Sequence, residues 1–369
     1  MESLPLLTHC TVDYWAMFIS RHCSESAMST RLVECVPNFS EGRNQEIIDA
    51  ISNAGRGIDG ARVLGVEPDG DYNRTVLTIA GEPDAVSLAA FEVIKASFEH
   101  IDMRIQEGEH PRIGAVDVCP FVPLEGVTME ECADMARKLA KKVADELGIP
   151  TFLYGAAATA PDRELLSDLR KGQYEGFRQR LENGGPHLPD YGPEEWNETV
   201  EKFGAVVIGA RQILVAYNVN VDEKDAKAAK MAGSLVRSTG RLLKHDDGRR
   251  TRIPGMLPMV QGMGLPLEAH GISQVSMNLR DVNITPMHIA YEAVKSIVND
   301  HGVDTYGSEL VGLVPLSAMI ESGKWYADEG CEDETELVNA AIKGLGLDAL
   351  GPFIANEIII EWALKEEIE

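Results

Sequence analysis

The first half of the chain alternates between short apolar runs, typical of strands, and longer runs with apolar residues on one helical face. Strands are predicted at residues 32–39, 61–67, 73–81, 115–123 and 150–155. Helices are predicted at residues 41–54, 82–101 and 128–147. In the first of these helices, Ile47, Ile48 and Ile51 recur at helical spacing. The order strand, helix, strand, strand, helix, strand describes a βαββαβ unit.

The same order of elements is predicted again in the second half. Strands are predicted at residues 212–221, 255–263, 272–281 and 309–315, and helices at residues 223–238 and 286–300. A Leu-Val pair followed five residues later by Asn occurs at residues 32–38 and again at 214–220. Chance similarity is the alternative to duplication over so short a match. The predicted fold is α+β, with two ferredoxin-like subdomains at residues 30–213 and 214–369, rather than a doubly wound sheet.

Two segments lie outside this repeat. Residues 1–29 have no basic region and only a short apolar patch, so they do not resemble a signal peptide. We expect a disordered extension there, with the working chain beginning near Met28. Residues 183–204 are rich in Gly, Pro and acidic side chains. They form either a surface linker or a loop that closes over a cleft between the sheets, with Trp196 as a stacking surface.

The charge balance excludes some classes of partner. The chain has 34 Lys and Arg against 59 Asp and Glu, a net charge of −25, which argues against general binding to nucleic acid or anionic membranes. No apolar run is long enough to span a membrane. The six cysteines form no C-x-x-C pair, so we expect reduced thiols, a cytoplasmic protein and no metal.

His110 is the strongest candidate for chemistry. It lies in the sequence EGEHPRIGAVDVCPFVP, where Pro111 restricts its backbone and a buried strand follows. A histidine has an ordinary pKa near neutrality and, when held in place, serves as a general acid or base. Surface solvation is the alternative role for a loop histidine. Motifs for phosphate loops, zinc proteases and hydrolase nucleophiles do not occur.

Two turns combine acids, amides and arginines in the way that a zwitterionic amino-acid ligand requires. Their residues are Asn38, Ser40, Glu41 and Arg43 after the first strand, and Glu67, Asn73 and Arg74 at the first hairpin. Capping and turn formation are the alternative roles. Residues 237–252 are basic within an acidic chain, and they are either an anion-attracting patch or an exposed loop of mixed charge.

Several of these segments resemble the glutamate formimidoyltransferases, the transferase half of formimidoyltransferase-cyclodeaminase. The resemblance covers residue 31 to the C-terminus and rests on LVECVPNFSEGRNQEIIDAI, NRTV, HPRIGAVDVCPF, TFLYGAA, SQVSMNL and SELVGLVPLSA. It implies two ferredoxin-like subdomains with a ligand tunnel between them, in a homodimer. It implies transfer of the formimidoyl group from N-formimidoyl-L-glutamate to N5 of tetrahydrofolate, a step of histidine degradation.

The resemblance also implies roles for individual residues. His110 corresponds to the catalytic histidine, acting as general base and then general acid. The implied folate-binding residues are Gly192, Pro193, Glu194, Glu195, Trp196, Asn197, Phe203, Gly204, Gly255, Met256 and Leu257. Arg112 is expected to serve a ligand carboxylate, and Glu67 stands where the family has an aspartate. The folate is expected to be polyglutamylated, with Arg249 and Arg250 favouring the longer tail, and a separate cyclodeaminase is expected.

Two kinds of rival remain. The same fold could use formimidoylglycine or formylglutamate as donor, and formimidoylglycine would need less basic surface around the amino-acid site. A folate-binding protein without catalysis is the rival from a different class.

Overall fold

The computed structural model describes residues 31–365. The expected N-terminal extension and the start near Met28 lie outside these residues. The first unit contains β1 (Leu32–Cys35), β2 (Asn38–Phe39), α1 (Gln45–Ala54), β3 (Ala61–Asp69), β4 (Arg74–Gly81), α2 (Pro83–His100), β5 (Val116–Glu125), α3 (Met129–Leu147), β6 (Thr151–Gly155), α4 (Leu166–Leu169), α5 (Gln173–Asn183), α6 (Glu198–Phe203) and β7 (Val206–Ala210).

The second unit follows directly and has fewer strands in its main sheet. It contains β8 (Val215–Val221), α7 (Lys227–Val236), β9 (Arg241–Lys244), β10 (Arg250–Ile253), β11 (Val260–Leu267), β12 (Ile272–Leu279), α8 (Met287–Asn299), β13 (Thr305–Val311), α9 (Leu316–Tyr326), α10 (Glu334–Leu345), α11 (Ala355–Ile358) and α12 (Ile360–Lys365). Within the described residues, no helix is both long and apolar enough to cross a membrane.

The two main sheets share one strand order. In the first, β1 and β2 pair antiparallel with both β4 and β5 and behave as one strand interrupted at Pro37. Its order is therefore β3, β4, β1/β2, β5, and β7 and β6 extend it in parallel beyond β5. The second sheet has the equivalent order β11, β12, β8, β13, all antiparallel. The chain is thus a mixed α and β protein with several sheets.

Each sheet buries one face against its helices, and the units also pack on each other. Val33, Cys35 and Phe39 of the first sheet join the core formed with α1, α2 and α3. Ala80 and Val122 of the same sheet belong instead to the core of the second unit. The free face of the first sheet therefore contacts the second unit, which leaves room for a cavity between them.

Two regions differ from the sequence-based expectations. Residues 241–253 form a two-stranded hairpin, β9 and β10, whose strand residues are all exposed, where the sequence suggested a patch or a loop. Much of the segment 183–204 is exposed, and none of its residues lines the cavity described below. The segment contains α6 and packs on Phe152 and Phe177 of the first unit through Trp196 and Val200.

Candidate active site

His110 lies in the loop between α2 and β5 and is partly buried. Its backbone N–H donates to the carbonyl of Tyr72, at 3.4 Å, and its ring meets the Tyr72 ring edge-on, with centroids 6.4 Å apart. Pro111 follows immediately and restricts the backbone. The imidazole therefore has a defined position at the end of the first sheet.

Asn73 fastens the His110 loop to two other turns. It is buried and has φ +49°, a left-handed conformation that asparagine tolerates better than most residues. Its side-chain Oδ1 accepts from the N–H of Gly42 at 2.9 Å, and its Nδ2 donates to the carbonyl of Glu107 at 2.6 Å. The turns after β2 and β3 and the His110 loop are thereby joined through one side chain.

A cavity of about 840 Å³ opens beside His110, between the two sheets. The residues that line it are Val36, Asn38, Arg74, His110, Val118, Pro120, Met129, Tyr154, Gly155, Ala156, Glu164, Leu165, Leu166, Ser167, Arg170, Ala210, Arg211, Gln212, Leu214, Met259, Gln261, Asn278 and Arg280. This size suits small-molecule ligands. Both units and the connection between them contribute to its wall.

The cavity is strongly cationic although the chain is acidic. Arg74, Arg170, Arg211 and Arg280 line it, against the single carboxylate of Glu164. In a chain of net charge −25, such a concentration of positive charge attracts anionic ligands specifically to this place. Guanidinium groups bind carboxylates with paired hydrogen bonds.

Asp117 holds one of these arginines in place. It is 1% exposed, and both of its oxygens accept hydrogen bonds from the Arg170 guanidinium, with Nε to Oδ1 at 3.2 Å. Oδ1 also accepts from the N–H of Ile113, at 3.1 Å, in the chain that leads away from His110. Burial raises the pKa of Asp117, and Arg170 opposes that shift. The pair connects the wall of the cavity to the His110 loop.

The surroundings of His110 favour the neutral imidazole. Burial is the main cause that lowers its pKa from the ordinary 6.5 to about 4. The positive charges of Arg74, Arg170 and Arg112 lower it further. Asp69, at the end of β3, acts in the opposite direction. At neutral pH the ring can accept a proton, but the lowered pKa makes it a weak base.

Family models for the formiminotransferase domain match the chain in two parts, the N-terminal subdomain over residues 32–211 and the formiminotransferase domain over residues 216–365. The chain belongs to the formiminotransferase domain family. The resemblance found in the sequence is thereby confirmed.

Relatives of this formiminotransferase-domain protein include enzymes of two lengths. It is 40% identical over 340 residues to formimidoyltransferase-cyclodeaminase of Rattus norvegicus, covering 91% of this chain and 60% of that protein. It is 37% identical over 296 residues to glutamate formimidoyltransferase of Streptococcus pyogenes serotype M1, covering 80% of this chain and 93% of that protein. It is 40% identical over 317 residues to glutamate formimidoyltransferase of Thermoplasma acidophilum, covering 84% of this chain and 98% of that protein. The chain therefore spans about 60% of the length of the longer relative.

Of the turn residues expected to bind the substrate, Asn38 and Arg74 line the cavity of this formiminotransferase-domain protein with His110. The others serve the turns. Ser40 donates to the carbonyl of Gly114, and Glu41 accepts from the N–H groups of residues 43 and 44. Arg43 donates to the carbonyls of residues 70 and 107, and Glu67 is exposed on the edge strand β3.

Arg112 points away from the cavity. Its guanidinium pairs with Glu175 at 2.8 Å and donates to the side chain of Gln106 at 2.8 Å, and its side chain is 7% exposed. Its donors are therefore engaged by protein acceptors. Among residues 31–365, no group of three or more His, Cys, Asp or Glu side chains could hold a metal ion.

The segments expected to bind folate lie apart from the residues that line this cavity. Tyr191 bridges to Thr151 at the start of β6, whereas the cavity is lined at the other end of that strand. Trp196 packs against Tyr174 and Phe177, and Asn197 caps α6. Gly192, Gly204 and Gly255 lie close to neighbouring backbone, Phe203 and Leu257 are buried, and Met256 is 58% exposed. Pro193 is partly buried, and Glu194 and Glu195 are exposed.

Sequence reasoning missed the residues that give the cavity its charge. Arg170 follows α4, Arg211 follows β7 and Arg280 follows β12. A charged residue directly after an apolar strand was an available signal for Arg211 and Arg280, because ligand-binding residues concentrate at such positions. Arg170 lies in a polar stretch and carries no comparable signal.

Proposed function

We propose that this protein transfers the formimidoyl group from N-formimidoyl-L-glutamate to N5 of tetrahydrofolate, giving 5-formimidoyltetrahydrofolate and L-glutamate in histidine degradation. The observation that carries the proposal is the placement of His110 in a cavity lined by four arginines. Relatives named glutamate formimidoyltransferase, at 37% and 40% identity, support the same reaction.

The charges of the cavity favour this donor over its rivals. The glutamate part of the donor brings two carboxylates, and the glutamate tail of the folate brings at least two more, whereas formimidoylglycine has only one. The formimidoyl amidine is a cation, and Glu164 is the one acidic side chain in the lining. Formylglutamate lacks that positive charge and would make no ion pair with Glu164.

His110 would move the proton that the transfer requires. When N5 of the folate attacks the amidine carbon, N5 must lose a proton and the glutamate nitrogen must gain one before the carbon–nitrogen bond breaks. A single histidine within reach of both nitrogens can accept the first proton and return it to the second. A positioned general acid or base contributes about 10²- to 10⁴-fold in rate, and the orientation of the two substrates supplies more.

The proposal extends to the architecture and setting. It includes two ferredoxin-like subdomains at residues 30–213 and 214–369, a tunnel between them, and folate contacts from residues 192–204 and 255–257. It also includes a homodimer in the cytoplasm and a cyclodeaminase on a separate chain that takes up the product. The equivalent strand orders of the two sheets support the first of these.

A coupled absorbance assay tests the reaction. The protein is incubated with tetrahydrofolate and formimidoylglutamate and then acidified, so that any 5-formimidoyl product cyclises to methenyltetrahydrofolate. Formimidoylglycine and formylglutamate are assayed in parallel. We expect signal from formimidoylglutamate, with little from the other donors. Signal with only another donor would move the protein to a different pathway, and no signal with any donor would favour a folate-binding protein.

A further inference from the structure

The Asp117–Arg170 pair has no role in the proton transfer described above, yet its buried carboxylate is well hydrogen-bonded. A carboxylate that is 1% exposed is costly to bury unless its oxygens are satisfied, and here two guanidinium donors and one backbone N–H satisfy them. The side chain of Arg170 is 18% exposed and lines the cavity. Asp117 therefore fixes the direction of a cation that meets the ligand.

Arg74 stands on the same cavity wall with an unsatisfied donor. Its Nε is buried and has no hydrogen-bond partner among the described residues, and its guanidinium carbon lies 6.0 Å from the centre of the Tyr72 ring. A buried guanidinium donor without a partner requires an acceptor. The buried Nε does not itself face the open cavity, but Arg74 lines that cavity beside His110, where the rest of its guanidinium can meet an anionic ligand.

These two arginines are also the ones whose charges His110 feels most. Arg74 and Arg170 act on it from β4 and from the segment after α4, while Arg112 of its own loop is already paired with Glu175. Asp69 acts in the opposite sense. A carboxylate bound between Arg74 and Arg170 would therefore offset the arginine charges that add to the effect of burial on the imidazole.

We propose that Arg74 and Arg170, the latter oriented by Asp117, form the seat for a carboxylate of the formimidoyl donor, and that occupancy of this seat makes His110 basic enough to accept the folate proton. The inference rests on the proposed function for the identity of the donor. In it, Asp117 is a positioning residue that acts through Arg170. General-base strength would then appear only when the donor is present, so the free enzyme would hold a poor base.

Nuclear magnetic resonance of the ring-labelled histidines tests this coupling without turnover. His110 is assigned by comparison with His110→Gln, and its pKa is measured with and without L-glutamate, the dicarboxylate product. We expect L-glutamate to raise the pKa of His110 by about one pH unit or more, because an anion near a histidine favours its charged form. An unchanged pKa at saturating L-glutamate would overturn the proposal.

Variants then locate the seat. In Arg170→Gln, the pKa of free His110 is expected to rise and the further rise with L-glutamate to shrink. The KM for the donor is expected to increase about 10- to 100-fold, as expected for loss of a charge-assisted hydrogen bond. Arg170→Lys should restore part of both effects. Asp117→Asn should lower kcat/KM for the donor. It should also shift the pH profile of kcat/KM in the same direction as Arg170→Gln does.

The matched control is Arg178→Gln, which replaces an exposed arginine of α5 that pairs with Glu182 on the same helix. It should leave the pKa of His110 and the KM unchanged. If Asp117→Asn fails to fold, the result with Arg170→Gln decides. A wild-type protein without transferase activity but with the L-glutamate effect would retain the seat and refute the proposed reaction. Activity without the effect would retain the reaction and refute the seat.

Discussion

At His110, the loop sequence and its tertiary contacts act together. Pro111 limits the backbone, and the carbonyl of Tyr72 and the side chain of Asn73 hold the loop against neighbouring turns. Burial and nearby arginines keep the ring neutral, with a pKa lowered to about 4. A neutral imidazole in a fixed position is the starting state that a general base requires.

Replacing His110 by Ala should lower kcat about 10²- to 10⁴-fold, because the proton transfer loses its catalyst. Affinity for tetrahydrofolate should change little, since the arginines and amides of the cavity remain. Turnover in the coupled assay and equilibrium fluorescence binding measure the two quantities. The control is His187→Ala, which removes an exposed histidine that does not line the cavity. Equal losses in binding and turnover would indicate a binding role for His110.

Sequence alone could single out His110, because its signal is local: Pro111 beside it and a buried strand behind it. Arg170, Arg211 and Arg280 could not be grouped in the same way. They reach the cavity from a helix end, from the connection between the units and from the second sheet. Only the packing of the two sheets brings these segments together, and the pattern of apolar residues along the chain does not reveal that packing.

The hairpin β9–β10 is an element that the sequence likewise could not predict. Directly opposed residues of two paired strands share a face, so Lys244, Arg250, Leu242 and Arg252 lie on one face. All are exposed, and neither face shows the alternation of burial by which a strand is recognised. The sequence therefore revealed the charge of the segment but not its shape.

The cationic face of this hairpin should bind the tail of polyglutamylated folate. We expect Lys244→Gln with Arg250→Gln to weaken the polyglutamate roughly threefold to tenfold, as expected for exposed charge pairs, with no change for the monoglutamate. The sequence-based expectation named Arg249 together with Arg250, but Asp247 already pairs with Arg249 at 2.6 Å, so Arg249→Gln becomes the matched control. Binding is measured at low and moderate salt, since screening should erase the difference. Equal affinity of both folates for the double variant and the native chain would retire this role.

The strand β7 was missed for a different reason. All five of its residues are buried, and it pairs in parallel with both β5 and β6. A short strand covered on both faces has no polar and apolar alternation, so it cannot be told from other apolar runs. The four-stranded part of each sheet was predictable because its order of elements occurs twice, and of the two added strands of the first sheet the sequence predicted β6 but not β7.

At the scale of the whole molecule, the contact between the two units contains a buried acid. Glu34 on β1 is 6% exposed and is influenced by Arg211, in the connection, and Glu361, on α12. Burial raises its pKa from the ordinary 4.5 to about 7, Arg211 opposes this shift, and Glu361 adds to it. The neutral carboxyl therefore stabilises the folded protein below the unfolded-state pKa, and that stabilisation is lost as the pH rises through about 7.

Glu34→Gln should accordingly be more stable than the native chain at about pH 9 and no more stable at about pH 4. The difference between the two conditions should be on the order of 3 kcal/mol. Urea unfolding at each pH measures the free energy, and Glu332→Gln, at an exposed site, is the control. A gain that is the same at both pH values would show that Glu34 does not titrate in this way.

The connection between β7 and β8 limits how the chain can be rearranged. Connections between compact units usually tolerate insertions and new termini, since few contacts depend on them. Here residues 211, 212 and 214 of that connection are themselves part of the cavity wall. Lengthening or opening the chain at this point would displace Arg211 from the site, together with Ile213, which belongs to the core of the second unit. Fusion, shuffling or circular permutation at this boundary would therefore have to rebuild the active site.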